Sequence, residues 1–151
     1  MIELKRTSSQ HSDFQSLVLL LDKDLSVRDG EDHSFYAQFN KIDKIKEVIV
    51  AYENMEAAGC GAIKKYDNQT AEVKRMFVKP AFRGLGMAGK ILSSLEEWAS
   101  ELGYHYCVLE TGQKQPEAIA LYKKSGYQLI PNYGQYAGIE NSVCMKKPLR
   151  I

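Results

Sequence analysis

The chain has 151 residues, 44% apolar and 26% charged, with a formal net charge of +1 at pH 7. That length suits a single domain, residues 1–151, able to bury one core. The near-zero charge argues against a nucleic-acid binder that relies on a basic field. No apolar run reaches the length of a membrane span. The start, Met1 to Arg6, lacks an apolar signal region, so a cytoplasmic location is expected.

Ile2 to Thr7 alternates well enough for a strand. Ser12 and Gln15 have the spacing of a capping box, and Phe14, Leu17, Val18, Leu21 and Leu25 mark the buried face of a helix ending near Val27. The stretch from Arg28 to Tyr36 is polar, acidic and aromatic. Read from its residues alone, it is a solvated loop before a short helix through Phe39. Val48 to Tyr52 is a strand, Glu53 to Glu56 a turn, and Ala57 to Lys65 a second strand. Gly59 and Gly61 in that second strand mark close packing or a bulge. Asp67-Asn68 predicts a two-residue hairpin turn into the next strand.

The most informative stretch runs from Glu72 to Lys90. Val73, Phe77 and Val78 suit a buried strand, and Pro80 ends it by removing a backbone donor. A glycine-bearing loop, Arg83-Gly84-Leu85-Gly86-Met87-Ala88, then opens a helix with apolar residues at Ala88, Ile91, Leu92, Leu95, Trp98, Ala99 and Leu102. Gly103 sits where a left-handed cap is expected. A glycine loop at a helix start offers unpaired N–H groups and the positive end of the helix dipole, which suits phosphate. Gly84, Gly86 and Gly89 also satisfy the dinucleotide pattern G-x-G-x-x-G, with Glu110 about 20 residues on where a ribose-binding acid would lie. Against that reading, five residues separate strand from glycines, and too little chain follows for repeated βαβ units.

After the helix, Tyr106 to Leu109 reads as a buried strand, parallel to the Glu72 strand through a right-handed crossover. Pro116 suits the first turn of another helix and Gly126 its cap. Two more strand candidates, Tyr127 to Ile130 and Ser142 to Lys146, flank a tyrosine-rich loop. Cys60, Cys107 and Cys144 are far apart and read as buried free thiols. His11, His33 and His105 lack metal-ligand spacing, so no metal is expected.

Arg83-x-x-Gly86-x-Ala88 resembles the coenzyme A pyrophosphate loop, Q/R-x-x-G-x-G/A, of the GNAT N-acetyltransferase superfamily. The preceding strand is similar to that family's fourth strand. The segment from Pro116 to Tyr127 is similar to its A-x-x-L-Y-x-x-x-G-F/Y motif. The resemblance covers roughly the second half of the chain and points to an uncharacterised prokaryotic branch. It implies an α+β fold with a mostly antiparallel twisted sheet, two parallel strands that splay apart, and helices on both faces.

It also implies acetyl-CoA as co-substrate, held by Met76, Phe77, Val78, Arg83, Gly84, Leu85, Gly86, Met87, Ala88 and Gln115. Relatives often carry asparagine where Gln115 stands. Tyr122 matches the tyrosine that protonates the leaving thiolate. Glu72 matches a glutamate used as general base in some branches; otherwise it is a strand-surface residue paired with a lysine such as Lys64. Asp29, His33, Tyr36, Tyr133 and Tyr136 are expected around the acceptor, because carboxylates and tyrosine faces both suit ammonium groups. The expected partners are acetyl-CoA and a primary amine, first of a small molecule or amino acid and second of a protein lysine or N-terminus. No nucleic acid or membrane is expected, and a homodimer is left open. A different class, a non-catalytic acyl-CoA sensor, also stands.

Overall fold

The structure is a computed structural model that describes residues 1–29 and 45–149, with residues 28 and 29 described by backbone alone. The described strands are β1 Ile2–Thr7, β2 Glu47–Glu53, β3 Glu56–Lys65, β4 Thr70–Val78, β5 Tyr106–Gly112, β6 Gln128–Ile130 and β7 Ser142–Pro148. They form one sheet in the order β1-β2-β3-β4-β5-β7-β6. Only β4 and β5 pair in parallel; the other pairs are antiparallel. The described helices are α1 Ser12–Asp29, α2 Met87–Glu101 and α3 Pro116–Lys124. Among the described residues, no helix is long and apolar enough to cross a membrane.

Each face of the sheet has its own core. On one face Ile91, Leu92 and Leu95 of α2 pack with Ile49, Ile63, Val73 and Met145, and Tyr122 of α3 joins them. On the other, Phe14, Leu17 and Val18 of α1 pack with Val48, Val50, Cys60 and Phe77. The helical spacing of both apolar stripes brings this about. Leu102 departs from its expected stripe: it follows α2 and is 48% exposed.

The expected mixed sheet with splayed parallel strands is present, and its cause is local. β4 and β5 pair only at Thr70↔Tyr106, Ala71↔Cys107 and Glu72↔Val108. β5 stays with β7 along its whole length, from Tyr106↔Pro148 to Gly112↔Ser142. β4 meanwhile turns away at a bulge. Its pairing to β3 jumps from Ala62↔Lys74 to Cys60↔Phe77, so Arg75 and Met76 face the single residue Gly61. Arg75 has φ +61°, the left-handed region that a non-glycine residue rarely adopts. The extra residue resets the alternation: Ala71, Val73 and Val78 lie in the α2-side core, while Phe77 lies in the α1-side core. Gly61 is what the bulge requires of β3. A Cβ there would sit 2.6 Å from Met76 Sδ and 2.8 Å from Leu95 Cδ1. The two sequence readings of this glycine, packing and bulge, are both met.

Two expected local devices are corrected. Helix α1 is capped by His11, whose Nδ1 accepts from the Asp13 N–H at 3.1 Å. Ser12 is already the first helical residue, and the Gln15 amide donates to the Ser9 carbonyl at 3.1 Å rather than closing a capping box. The β3–β4 connection is also longer than two residues. It spans residues 66–69, closed by Thr70 N–H to Asp67 O and by Gln69 N–H to Asp67 Oδ1 at 2.9 Å. Asp67 acts through its side chain, which a two-residue hairpin would not need. The expected short helix through Phe39 lies outside the described residues.

Candidate active site at the strand fork

Beyond Glu72 the edge of β4 that faces β5 has no ladder partner. Such an edge offers main-chain donors and acceptors to an extended ligand. Along it runs a groove of about 330 Å³, whose walls include Met76, Phe77, Val78, Arg83, Gly84 and Gly86, then Met87, Ala88, Gln115 and Tyr122. Most residues expected to hold the coenzyme are thus in one place. Leu85 is not among them and is 59% exposed.

The groove's far end is built from backbone. Gly84 and Gly86 have φ of +83° and +79°. Gly86 caps α2 without any side-chain bond, and the first turn of that helix contains no acid. The leading N–H groups of α2 therefore keep their positive end for a ligand. A Cβ at Gly84, Gly86 or Gly89 would meet nothing within 4 Å, so the space beside the loop is open. Arg83 is braced across the strand end. Its Nε donates to the Val78 carbonyl at 2.8 Å, and its guanidinium lies 5.7 Å from the centre of the Phe77 ring. Open glycines, a bare helix start and a fixed cation fit a diphosphate.

A second, smaller cavity of about 110 Å³ opens inside the fork, with Glu72, Lys74 and Arg75 of β4 facing Glu110 and Thr111 of β5. The two cavities share Leu21, Met76, Gln115, Ala118 and Tyr122. Tyr122 is held by an edge-to-face contact with Tyr127, ring centres 5.9 Å apart. Burial, and then the Glu110 charge, push its phenol above the ordinary value of 10.0, so it carries its proton at neutral pH. Gln115 precedes α3 and makes no side-chain cap bond, which leaves its amide on the wall shared by both cavities.

Glu72 is 8% exposed. Its Oε2 accepts from the Tyr133 hydroxyl at 2.7 Å, and its Oε1 lies 3.9 Å from Lys74 Nζ. Lys64 is its cross-strand neighbour in register, as the plainer sequence reading had it. The carboxylate is nevertheless a buried, oriented group at a cavity wall. Tyr133 stands between Tyr66 and Tyr136, at ring-centre distances of 5.0 and 5.8 Å. Burial, then the charge of Glu72 and its hydrogen bond, hold the Tyr133 phenol far above its ordinary value. Tyr136 lines the smaller cavity, while Tyr133 does not and instead steadies Glu72.

Asp29 ends α1, and His33 and Tyr36 lie outside the described residues. Three charged residues of the smaller cavity were absent from the sequence-based site: Lys74, Arg75 and Glu110. Arg75 is reached only through the bulge, which aims its Nη1 at Asp22 of α1, 3.2 Å away. Glu110 had suggested itself only as a ribose-binding acid. It sits instead two residues past the last β4–β5 pair. The alternation Glu72-Val73-Lys74, with Val73 in the core, was the one available signal for Lys74. Among the described residues no group of three His, Cys, Asp or Glu could hold a metal ion.

The acetyltransferase (GNAT) family profile matches residues 14–127. The chain belongs to the GNAT acetyltransferase family. It is 38% identical over 102 residues to the IAA acetyltransferase of Azospirillum brasilense, an alignment covering 67% of each chain. It is 36% identical over 101 residues to an uncharacterised N-acetyltransferase of Bacillus subtilis, covering 66% of this chain and 67% of that one. A solved structure from Klebsiella pneumoniae, assigned as an acyl-CoA N-acyltransferase, superposes with a TM-score of 0.84 at 28% identity and covers 99% of both chains. A GNAT acetyltransferase from Elizabethkingia anophelis, solved with acetyl-CoA bound, shares the fold at a TM-score of 0.70 and 19% identity over 98% of both chains. The GNAT chain described here is accordingly an enzyme of the N-acetyltransferase class. The dinucleotide reading falls with the fold, since a mostly antiparallel sheet has no repeated βαβ units.

Proposed function

We propose that the protein transfers an acetyl group from acetyl-CoA to the primary amine of a small molecule, with both substrates bound together. The observation that carries this reading is the meeting of two cavities at Tyr122. One is long, with an open strand edge and a glycine-lined anion site; the other is small and charged. Acetyl-CoA bound in the related Elizabethkingia enzyme supports the choice of co-substrate. When bound, acetyl-CoA supplies an activated acyl carbon. The chain's residues do the rest.

The glycine loop and the start of α2 hold the diphosphate. The open β4 edge aligns the pantetheine arm as an added strand. A backbone N–H near Met76, at the bulge, is available to the thioester oxygen as charge builds there. An alkylammonium has a pKa of about 10 and must lose a proton before it can attack. Glu72, oriented by Tyr133, accepts that proton directly or through water. Tyr122 gives its phenolic proton to the departing sulfur. A phenol whose pKa lies above 10.0 carries its proton at neutral pH, and the edge-to-face contact with Tyr127 keeps the ring at the junction.

The test is thiol release from acetyl-CoA with a panel of amines. The expected result is turnover dependent on a small primary amine. Turnover only with protein lysines would move the acceptor to a macromolecule. Acetyl-CoA binding without turnover on any amine would overturn the reading in favour of a sensor.

A further inference from the structure

The acceptor cavity holds a lysine that the chemistry above does not use. Lys74 follows Glu72 by two residues on the same strand face, before the bulge, and lines the smaller cavity. Its side chain is only 12% exposed. Among the described residues its ammonium makes no hydrogen bond; its one ion-pair contact is Glu72 Oε1, at 3.9 Å. Like charges stand beside it as well as the carboxylates of Glu72 and Glu110. Arg75 is the next residue, and Lys64 stands on the neighbouring strand opposite Glu72. Burial pulls the Lys74 pKa below its ordinary value; Glu72 works the other way, Arg75 and Lys64 add to the lowering, and Glu110 across the cavity opposes it. A half-buried ammonium with one loose ion pair and no hydrogen-bonded counter-ion has donor capacity to spare. At the wall of a substrate cavity, the missing partner can come with the substrate.

Resting on the acetyltransferase reading, we propose that Lys74 is an anion-binding residue of the acceptor site, and that the acceptor is an α-amino acid. The match is one of spacing. Glu72 and Lys74 present opposite charges 3.9 Å apart. An α-amino acid carries an ammonium and a carboxylate on one carbon, so it can lie head to tail against that pair. Its ammonium meets Glu72 and its carboxylate accepts a charge-assisted hydrogen bond from the Lys74 ammonium. A simple alkylamine leaves Lys74 as it is. A polyamine brings a second cation into a cavity that already holds Lys74 and Arg75, with Glu110 as the one further carboxylate among its described walls. The cavity of about 110 Å³ within the described residues is well below the ~300–1,000 Å³ of drug-sized sites, in keeping with a compact acceptor.

The experiment compares α-amino acids with the amines left by their decarboxylation: alanine with ethylamine, serine with ethanolamine, phenylalanine with phenethylamine. Rates are normalised to the free-amine fraction. In the wild type, kcat/KM for the best amino acid should exceed that of its decarboxylated partner at least tenfold. Lys74→Met should bring that ratio close to one with acetyl-CoA affinity unchanged, and Lys74→Arg should retain part of it. A wild-type ratio near one, or a ratio that survives Lys74→Met, overturns the proposal while leaving the acetyltransferase reading intact. Turnover of neither class overturns that reading and this inference with it. Should Lys74→Met fail to fold, the wild-type ratio alone decides.

Discussion

The two cavities share the wall at Tyr122 but are made of different material. The longer groove is largely backbone: an unpaired strand edge, two left-handed glycines and a helix start with no side-chain cap. The smaller cavity is side chains, contributed by α1, β4, β5, α3 and the loop before β7. Backbone groups can hold a common ligand whatever side chains surround them. Side chains gathered from five places, the charged ones from β4 and β5, suit one ligand and are cheap to change. On the proposed reading, the shared cofactor and the variable acceptor fall on opposite sides of one tyrosine.

The strongest way to break this arrangement is at the shared wall. Tyr122→Phe keeps the ring against Tyr127 and removes only the hydroxyl. We expect kcat to fall about 10²-fold or more with acetyl-CoA affinity near wild type. Steady-state rates beside binding calorimetry read both quantities. A kcat within a factor of two, with chemistry rate-limiting, would remove the acid role.

A change confined to the groove should act on the cofactor alone. In Gly86→Val the first carbon added has no protein atom within 4 Å outside its chain neighbours. The cost of the substitution divides between backbone strain at φ +79° and the space a diphosphate would take. Acetyl-CoA should bind at least about tenfold more weakly, a loss of roughly 1.4 kcal/mol. Unchanged affinity in a folded variant would show that the loop does not hold the cofactor.

A change confined to the small cavity should spare the cofactor. Glu72→Gln keeps an acceptor for the Tyr133 hydroxyl while removing charge and basicity. For a base, kcat near neutral pH should drop about tenfold and recover as pH approaches the amine pKa of about 10. For an electrostatic attractor, KM should rise with kcat held. Wild-type values of both across that range would return Glu72 to a structural role beside Lys74.

The same contrast explains what could be read from the chain beforehand. The groove lies largely in one contiguous run, where Pro80, Gly84 and Gly86 announce a strand end and a tight loop before a helix. Glycine and proline carry backbone geometry in their identity, so the fold around β4 and α2 was legible. The bulge was not. Arg75 has no feature that favours φ +61°, and strict alternation would have put it on the Val73 side of the sheet, not against Asp22. Without the bulge there was no way to see Lys74, Arg75 and Glu110 converge. Capping failed for a related reason: serine at position 12 has the usual preference, yet the imidazole of His11 does the work. Fold and cofactor groove follow from local rules. The acceptor cavity depends on where one irregular residue bends a strand.

That irregularity has supports, and they can be loosened by degrees. Gly61→Ala drives a methyl against Met76, Leu95 and Ile91, whose side-chain ends lie 2.6–2.9 Å from it. Overpacking of this kind costs about 1–3 kcal/mol, or about 2–4 °C of melting temperature per kcal/mol for a domain of this size. Met76 borders both cavities, so kcat/KM should fall as well. A thermal melt and one assay suffice. An unchanged melting temperature would mean that the side chains yield freely and that the bulge is not wedged by α2.

The mildest support is a thiol. Cys60 donates from Sγ to the carbonyl of Arg75 at 3.3 Å, a weak bond, but one made to the bulge residue itself. Burial pushes its pKa up to about 12, with the Arg75 charge acting in the opposite direction. The folded state therefore keeps this proton to higher pH than the unfolded chain, whose thiol titrates near 9.0. The thiol's stabilising contribution is full below about pH 9 and is lost as pH rises toward about 12, at no more than about 1.4 kcal/mol per pH unit. Cys60→Ala removes both the bond and the titration. At pH 7.5 it should melt slightly below wild type, by the ~1 kcal/mol expected of a weak buried bond and a small void. Between pH 9 and 11 its melting temperature should decline less steeply than that of wild type, so the two curves converge. Cys60→Ser, which keeps a donor, separates bond from packing: it should hold the bulge and the wild-type kcat while sharing the flatter alkaline slope. Parallel wild-type and Cys60→Ala curves from pH 7.5 to 11 would show that this thiol is not what couples the bulge to alkaline pH.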